Sequence, residues 1–150
     1  MSERHKMEQG AWYSCLDPDL EALRVRALEA CHAHNMAAPQ DRRAHSPALA
    51  DLFAHWGTGC LIEAPFHCSY GRHIHVGQAV YINSGVTILD SAPVHIGDHT
   101  MIGPSAQIYC ADHHRDPALR RDGIERALPV HIGRDVWIGG GAIVMPGVRI

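Results

Sequence analysis

Apolar and polar positions follow a strict count of six through most of this chain. Ile or Val stands at 74, 76, 82 and 88, then at 94, 96, 102 and 108, then at 130, 132, 138 and 144, and finally at 150. Each unit takes three steps of six residues and one of two, so it is twenty residues long. The third set arrives sixteen residues late: position 114 is His, and the expected aliphatic is Val130. Residues 114–129 are therefore predicted to be an inserted loop. A period of six fits neither the helical 3.6 nor the two-residue alternation of a hairpin strand. It suits a solenoid in which each short strand and its corner form one side of a prism, with three sides to a coil. Val80, Val86, Ala92, Thr100, Ala106, Val136, Ala142 and Val148 follow four places after an aliphatic and are expected near the corners. Gly77, Gly97, Gly103, Gly133 and Gly139 follow an aliphatic directly, where a tight corner is expected to need backbone freedom. Ile62 and Cys68 extend the count upstream, so the first coil is expected to begin there.

A helical texture precedes the repeat. Asp17-Pro18 is a cap followed by a first-turn proline, and Leu20, Leu23, Ala27, Leu28 and Cys31 share a face. Asn35 is expected to end that helix, and Ser46-Pro47 to start another through Leu49, Leu52 and Phe53. The chain thus divides into a helical segment, 1–55, and a repeat region, 56–150, with its loop at 114–129. By the twenty-residue count Ile150 opens a further unit. The expectation is that the final coil or coils are missing, with an exposed strand edge, weak stability and reduced or absent activity unless something covers that end.

Composition narrows the class. The chain has 150 residues, a net charge of −3 with His neutral, and 46% hydrophobic residues, as in one modest soluble domain with no nucleic-acid footprint. Met1–Gly10 is charged and lacks an apolar stretch of signal or membrane-spanning length, so a cytoplasmic protein without a membrane partner is expected. Five cysteines without a Cys-x-x-Cys pair read as reduced thiols.

The loop is the first place to expect chemistry, because an interruption of a regular repeat is rarely needed for packing. His113 stands at its root. An imidazole there can act as general base, taking the proton of a hydroxyl as it attacks an acyl carbon. The chain has thirteen histidines, however, and most are expected to face solvent on the sides of the coils.

Several motifs, in order, resemble the maltose and galactoside O-acetyltransferases, a branch of the hexapeptide-repeat acyltransferases. Met7, Gly10, Tyr13, Asp17, Leu20, Arg24 and Asn35 resemble that family's N-terminal segment. Ser69-Tyr70-Gly71, Tyr81-Ile82-Asn83 and Ile88-Leu89-Asp90 match its middle, and Ile108-Tyr109-Cys110-Ala111-Asp112-His113 the segment supplying its base. Gly123-Ile124-Glu125 to Pro129, then Val136-Trp137-Ile138-Gly139-Gly140, resemble the region framing its acetyl-CoA cleft. The resemblance implies a mainly β fold, a left-handed parallel β-helix in the form of a triangular prism, behind a short helical segment. It implies transfer of acetyl from acetyl-CoA, as cosubstrate and without a metal, to a hydroxyl of a sugar or related acceptor. His113 would be the base. Glu125 would orient the imidazole, unless it is a solvated loop carboxylate. Ser69, Tyr81, Asn83 and Asp90 would contact the acceptor, and Gly140 the cofactor. Trp137 would line the pantetheine channel, unless it only packs. The family also implies a homotrimer with each site between two subunits.

Cys15 stands where some members carry an acidic acceptor-binding residue, and His114 replaces a proline common after the base, leaving open which imidazole acts. Arg115, Arg120, Arg121 and Arg126 make a solvated loop face or attract CoA phosphates. Two other classes compete. Prisms of this kind also serve γ-class carbonic anhydrases, for which His95 and His99, His113 and His114, and His73 and His75 are candidate ligands. The other is a noncatalytic truncated prism that acts as an assembly scaffold.

Overall fold

The computed structural model describes residues 1–150, leaving aside the side chains of residues 43–45. The repeat region winds into four coils of three strands each. The first is β2 (His55–Trp56), β3 (Leu61–Ile62) and β4 (Phe66–Cys68), and the second β5 (Ile74–Val76), β6 (Tyr81–Ile82) and β7 (Val86–Leu89). The third is β8 (Val94–Ile96), β9 (Met101–Ile102) and β10 (Gln107–Tyr109); the fourth is β13 (Val130–Ile132), β14 (Trp137–Ile138) and β15 (Ile143–Val144). Corresponding strands stack in parallel as three faces: β2-β5-β8-β13, β3-β6-β9-β14 and β4-β7-β10-β15. This is the left-handed parallel β-helix of the hexapeptide-repeat class.

The count of six works because each side turns an aliphatic inward, on most sides with a second buried residue two places before it, and each stacks on its equivalent one coil away. Val94 pairs with Ile74 and Val130, Ile102 with Ile82 and Ile138, and Ile108 with Ile88 and Val144. Most of these side chains have almost no exposed surface, and each fully buried one contributes about 1.5–3 kcal/mol. The first coil starts earlier than the aliphatic count placed it, at β2. Trp56 pairs with Val76 there, and an aromatic fills the position that Ile or Val holds elsewhere.

The glycines after the aliphatics act differently from the expectation. Among Gly77, Gly97, Gly103, Gly133 and Gly139 none has positive φ; the left-handed residues come two places later, at Ala79, His99, Ser105, Asp135 and Gly141. What most of these glycines supply is room. A Cβ on Gly97 would stand 2.5 Å from the Arg134 nitrogen, and one on Gly103 2.5 Å from that of Gly140, both in the next coil. Side chains at these positions would push the coils apart.

Before the prism come α1 (Glu3–Glu8), β1 (Tyr13–Ser14), α2 (Pro18–Met36), α3 (Pro39–His45) and α4 (Pro47–Leu52). Asp17 caps α2, its carboxylate accepting from the backbone N–H groups of Asp19 and Leu20 at 3.0 and 3.2 Å. Leu20, Ala27, Cys31 and His34 form its buried stripe, and Leu28 falls beside that stripe, half-exposed. The helix ends at Met36, one residue past Asn35, as expected, but Asn35 does more than mark the end. Its amide grips the backbone of Phe66, donating to the carbonyl at 3.0 Å and accepting from the N–H at 2.8 Å, which fixes α2 against β4. Ser46 precedes α4 but makes no side-chain cap, and α3 lacks a sequence signal of comparable strength.

Between β10 and β13 the chain leaves the prism to form β11 (Ala111–His113), α5 (Pro117–Arg121) and β12 (Ile124–Ala127). β11 and β12 pair antiparallel, and β1 adds to the other edge of β12. The insertion does not disturb the stacking, since β13 meets β8 in register. Among the described residues no helix is long and apolar enough to cross a membrane.

Candidate active site

The three-stranded sheet β1-β12-β11 lines up its central residues in one row. Glu125 pairs with Tyr13 on one side and with His113 on the other. Strand alternation turns these three side chains to the same face of the sheet and sends Trp12, His114 and Arg126 to the opposite one. The Tyr13 hydroxyl donates to Glu125 Oε1, and Glu125 Oε2 lies 3.6 Å from Nδ1 of His113. Tyr13 and Glu125 are buried, whereas the His113 side chain is 61% exposed. Burial, and then the charge of Glu125, push the Tyr13 phenol well above its ordinary value, so it stays a protonated donor.

This row borders a cleft of about 360 Å³, lined by Cys15, Leu16, Arg24, Ser69, Tyr70, Leu89, Ser91, Ala111, His113 and Glu125. Arg24 reaches in from α2 and braces the wall, donating to the Cys15 carbonyl and the Tyr70 hydroxyl at 2.8 Å each. Burial and the nearby Glu125 raise the Cys15 thiol above its ordinary value, so it sits in the cleft as a neutral thiol.

The expected site residues divide into three places. His113, Glu125 and Ser69 share the cleft. Tyr81, Asn83, Trp137 and Gly140 do not join them; they line a separate depression of about 290 Å³ with Met101, Ile102, Gly103 and Pro104. The reason is topological. Tyr81 and Trp137 belong to the face β3-β6-β9-β14, while Ser69 follows β4 on the next face. Asp90 lines neither cavity. It has no exposed surface, and its carboxylate accepts from the backbone N–H groups of Tyr70 at 2.8 Å and His73 at 3.3 Å, holding a corner behind the cleft wall. Burial raises its pKa to about 7.

His114 is turned away. Its ring meets Trp12 at 4.6 Å between centroids, and its Nδ1 accepts from Asp116 N–H at 3.0 Å. Arg126 pairs with Asp112 at 3.0 Å and lies over the Trp12 ring, while Arg120 donates to the His114 carbonyl at 3.1 Å, so these two of the four loop arginines are already engaged. The histidines named for a metal do not converge. His73 is held by the Asp90 carbonyl at 2.6 Å, while His75 and His95 stack with His131 along one prism face. Among the described residues no three His, Cys, Asp or Glu are grouped as a metal would need. Tyr13, Arg24, Tyr70 and Ser91 were not expected in the site. Only the presence of the first three in family-like motifs could have pointed to them.

Comparison with known proteins gives a consistent result. Residues 6–57 match the maltose acetyltransferase hexapeptide capping motif. Nodulation protein L of Rhizobium leguminosarum bv. viciae is 42% identical over 147 residues, 98% of this chain and 77% of that protein. A maltose O-acetyltransferase from Clostridium difficile 630 superposes with a TM-score of 0.95 at 36% identity, covering 99% of this chain and 80% of the other. A hexapeptide-repeat acetyltransferase from Vibrio cholerae, solved with acetyl coenzyme A, superposes at 0.87 with 37% identity and the same coverage of both chains.

Proposed function

Since this chain belongs to the maltose and galactoside O-acetyltransferase family and is a hexapeptide-repeat acetyltransferase, we propose that it moves the acetyl group of acetyl-CoA onto a hydroxyl of a sugar or related acceptor, with His113 as general base. The observation carrying this reading is the row Tyr13–Glu125–His113 at the edge of the cleft. Glu125, held through Oε1 by Tyr13, offers Oε2 to Nδ1 of His113. That partner favours the tautomer with the proton on Nδ1 and leaves the Nε2 lone pair for the acceptor. The present 3.6 Å is longer than a formed hydrogen bond, and such contacts tighten when a site is loaded.

Sugar hydroxyls are poor nucleophiles at neutral pH. As Nε2 takes the proton, the oxygen attacks the thioester carbonyl; the tetrahedral intermediate then expels the thiolate, which receives the proton from the imidazolium as CoA-SH. Positioned proton removal is worth about 10² to 10⁴ in rate. Ser69 and Ser91 supply short hydroxyls to the acceptor, and Arg24 and Tyr70 keep the wall rigid.

The second wall comes from a neighbouring prism in a homotrimer. Tyr81, Asn83, Trp137 and Gly140 line a depression on another face, which supports their acting on the acceptor and acetyl-CoA of the adjacent subunit. Release of CoA thiol from acetyl-CoA, measured against a panel of mono- and oligosaccharides, tests the reaction. Release that depends on a hydroxyl-bearing sugar is expected; acceptor-independent hydrolysis alone would overturn it.

A further inference from the structure

A second reactive feature lies away from the cleft, where α2 crosses the first coil. Cys31, on the buried stripe of α2, and Cys68, the last residue of β4, face each other with their sulfurs 3.6 Å apart. Packing alone does not require thiols here. Position 68 falls on the six-residue count, where Ile or Val stands in the later coils. The two are also held in place, because Asn35, one helical turn after Cys31, clamps the backbone of Phe66, two residues before Cys68. Access is one-sided. A cleft of about 350 Å³ between α2 and the prism is lined by Cys31 with Leu28, His32, Asn35, Phe66 and His67, whereas Cys68 has no exposed surface.

We propose that Cys31 and Cys68 are a peroxide-oxidisable dithiol whose disulfide clips α2 to the first coil. Cys31 is the entry point. The Cys68 thiol hydrogen-bonded to it favours its thiolate, while Cys68 itself is raised well above the ordinary thiol range, first by that same bond and then by burial. The Cys31 sulfur attacks one oxygen of hydrogen peroxide; the S–O bond forms, the O–O bond breaks, and hydroxide leaves and is protonated to water. Cys68 then attacks the sulfenic sulfur, the S–S bond forms, and a second water departs. Two thiols and one peroxide give one disulfide and two waters. The bond would join residues 37 apart and tie down the helix that carries Arg24 into the acceptor cleft.

The test is to treat the full chain with stoichiometric hydrogen peroxide, block remaining thiols under denaturing conditions, and map peptides without reduction. A Cys31–Cys68 cross-linked peptide, restored to free thiols by dithiothreitol and accompanied by a higher melting temperature, is expected. Cys68→Val keeps a residue that the repeat uses at this register and should fold, lose the cross-link and lose the peroxide-dependent rise. Sulfinic acid on Cys31 without cross-linking, or both thiols still free after treatment, would overturn the proposal.

Discussion

Tyr13 ties the start of the chain to the loop between the third and fourth coils, a connection that only its place in a family-like motif hints at. Its ring is buried and its hydroxyl holds Glu125, so under the proposed mechanism the phenol would act through the carboxylate on the imidazole. Tyr13→Phe keeps the ring and removes the donor. A hydrogen bond to a charged group is worth about 1.5–3 kcal/mol, and even the lower end corresponds to about tenfold in rate. The expected result is a kcat lowered by about that factor with an unchanged KM for acetyl-CoA, read in a thiol-release assay. An unchanged kcat would show that Glu125 keeps its place without Tyr13. Cys15, being a neutral thiol beside Glu125, should react slowly with iodoacetamide at pH 7 and faster as pH rises; rapid alkylation at neutral pH would contradict its raised pKa.

At the scale of the elements, the coils depend on close stacking and on how their outward residues are charged. Gly97→Ala would drive a Cβ into the backbone of the next coil and should lower the melting temperature sharply, whereas Gly139→Ala, with nothing within 4 Å of its added Cβ, should change it little. The outward column of His75, His95 and His131 has ring centroids 4.3 and 4.9 Å apart. Burial lowers the pKa of His75 and His95; His55 acts in the same sense on His75, and His75 and His131 on His95. The folded state therefore prefers them neutral, and below about pH 6.5 the unfolded chain binds protons first. Their contribution is complete above that pH, is lost as pH falls through it, and levels off below the folded pKa values. Asp90 works in the opposite sense, its contribution present at low pH and lost as pH rises toward about 7. The ladder's share is isolated by comparing thermal melts of the protein and of His95→Gln from pH 8 to pH 5, and the variant should lose less stability. The elements themselves were largely legible in the sequence, because stacked coils impose a period that each inward aliphatic repeats. The site was less so. His113 is marked by the late third unit, but Asp90 shares its motif-bearing stretch with Leu89 and still turns inward to cap backbone N–H groups, and Ser91 beside it lines the cleft. Which of two neighbours faces a cavity is decided by a corner, and the count of six does not encode corner geometry.

For the whole molecule, the expected site residues lie in two separate depressions, and the proposed trimer would bring the two together across a subunit boundary. Mixing His113→Ala chains with Asn83→Ala chains, each impaired alone, should restore activity if a cleft takes the base from one subunit and Asn83 from the next. No recovery in exchanged hybrid trimers would confine the site to one chain. Whether this acetyltransferase works through the imidazole at the root of the loop is decided by the turnover of His113→Ala beside the unaltered protein, with acetyl-CoA and an accepted sugar. His113 is largely exposed, so the variant should melt at nearly the same temperature while kcat falls by about a hundredfold or more. Equal turnover in the two proteins would remove His113 from the role of base.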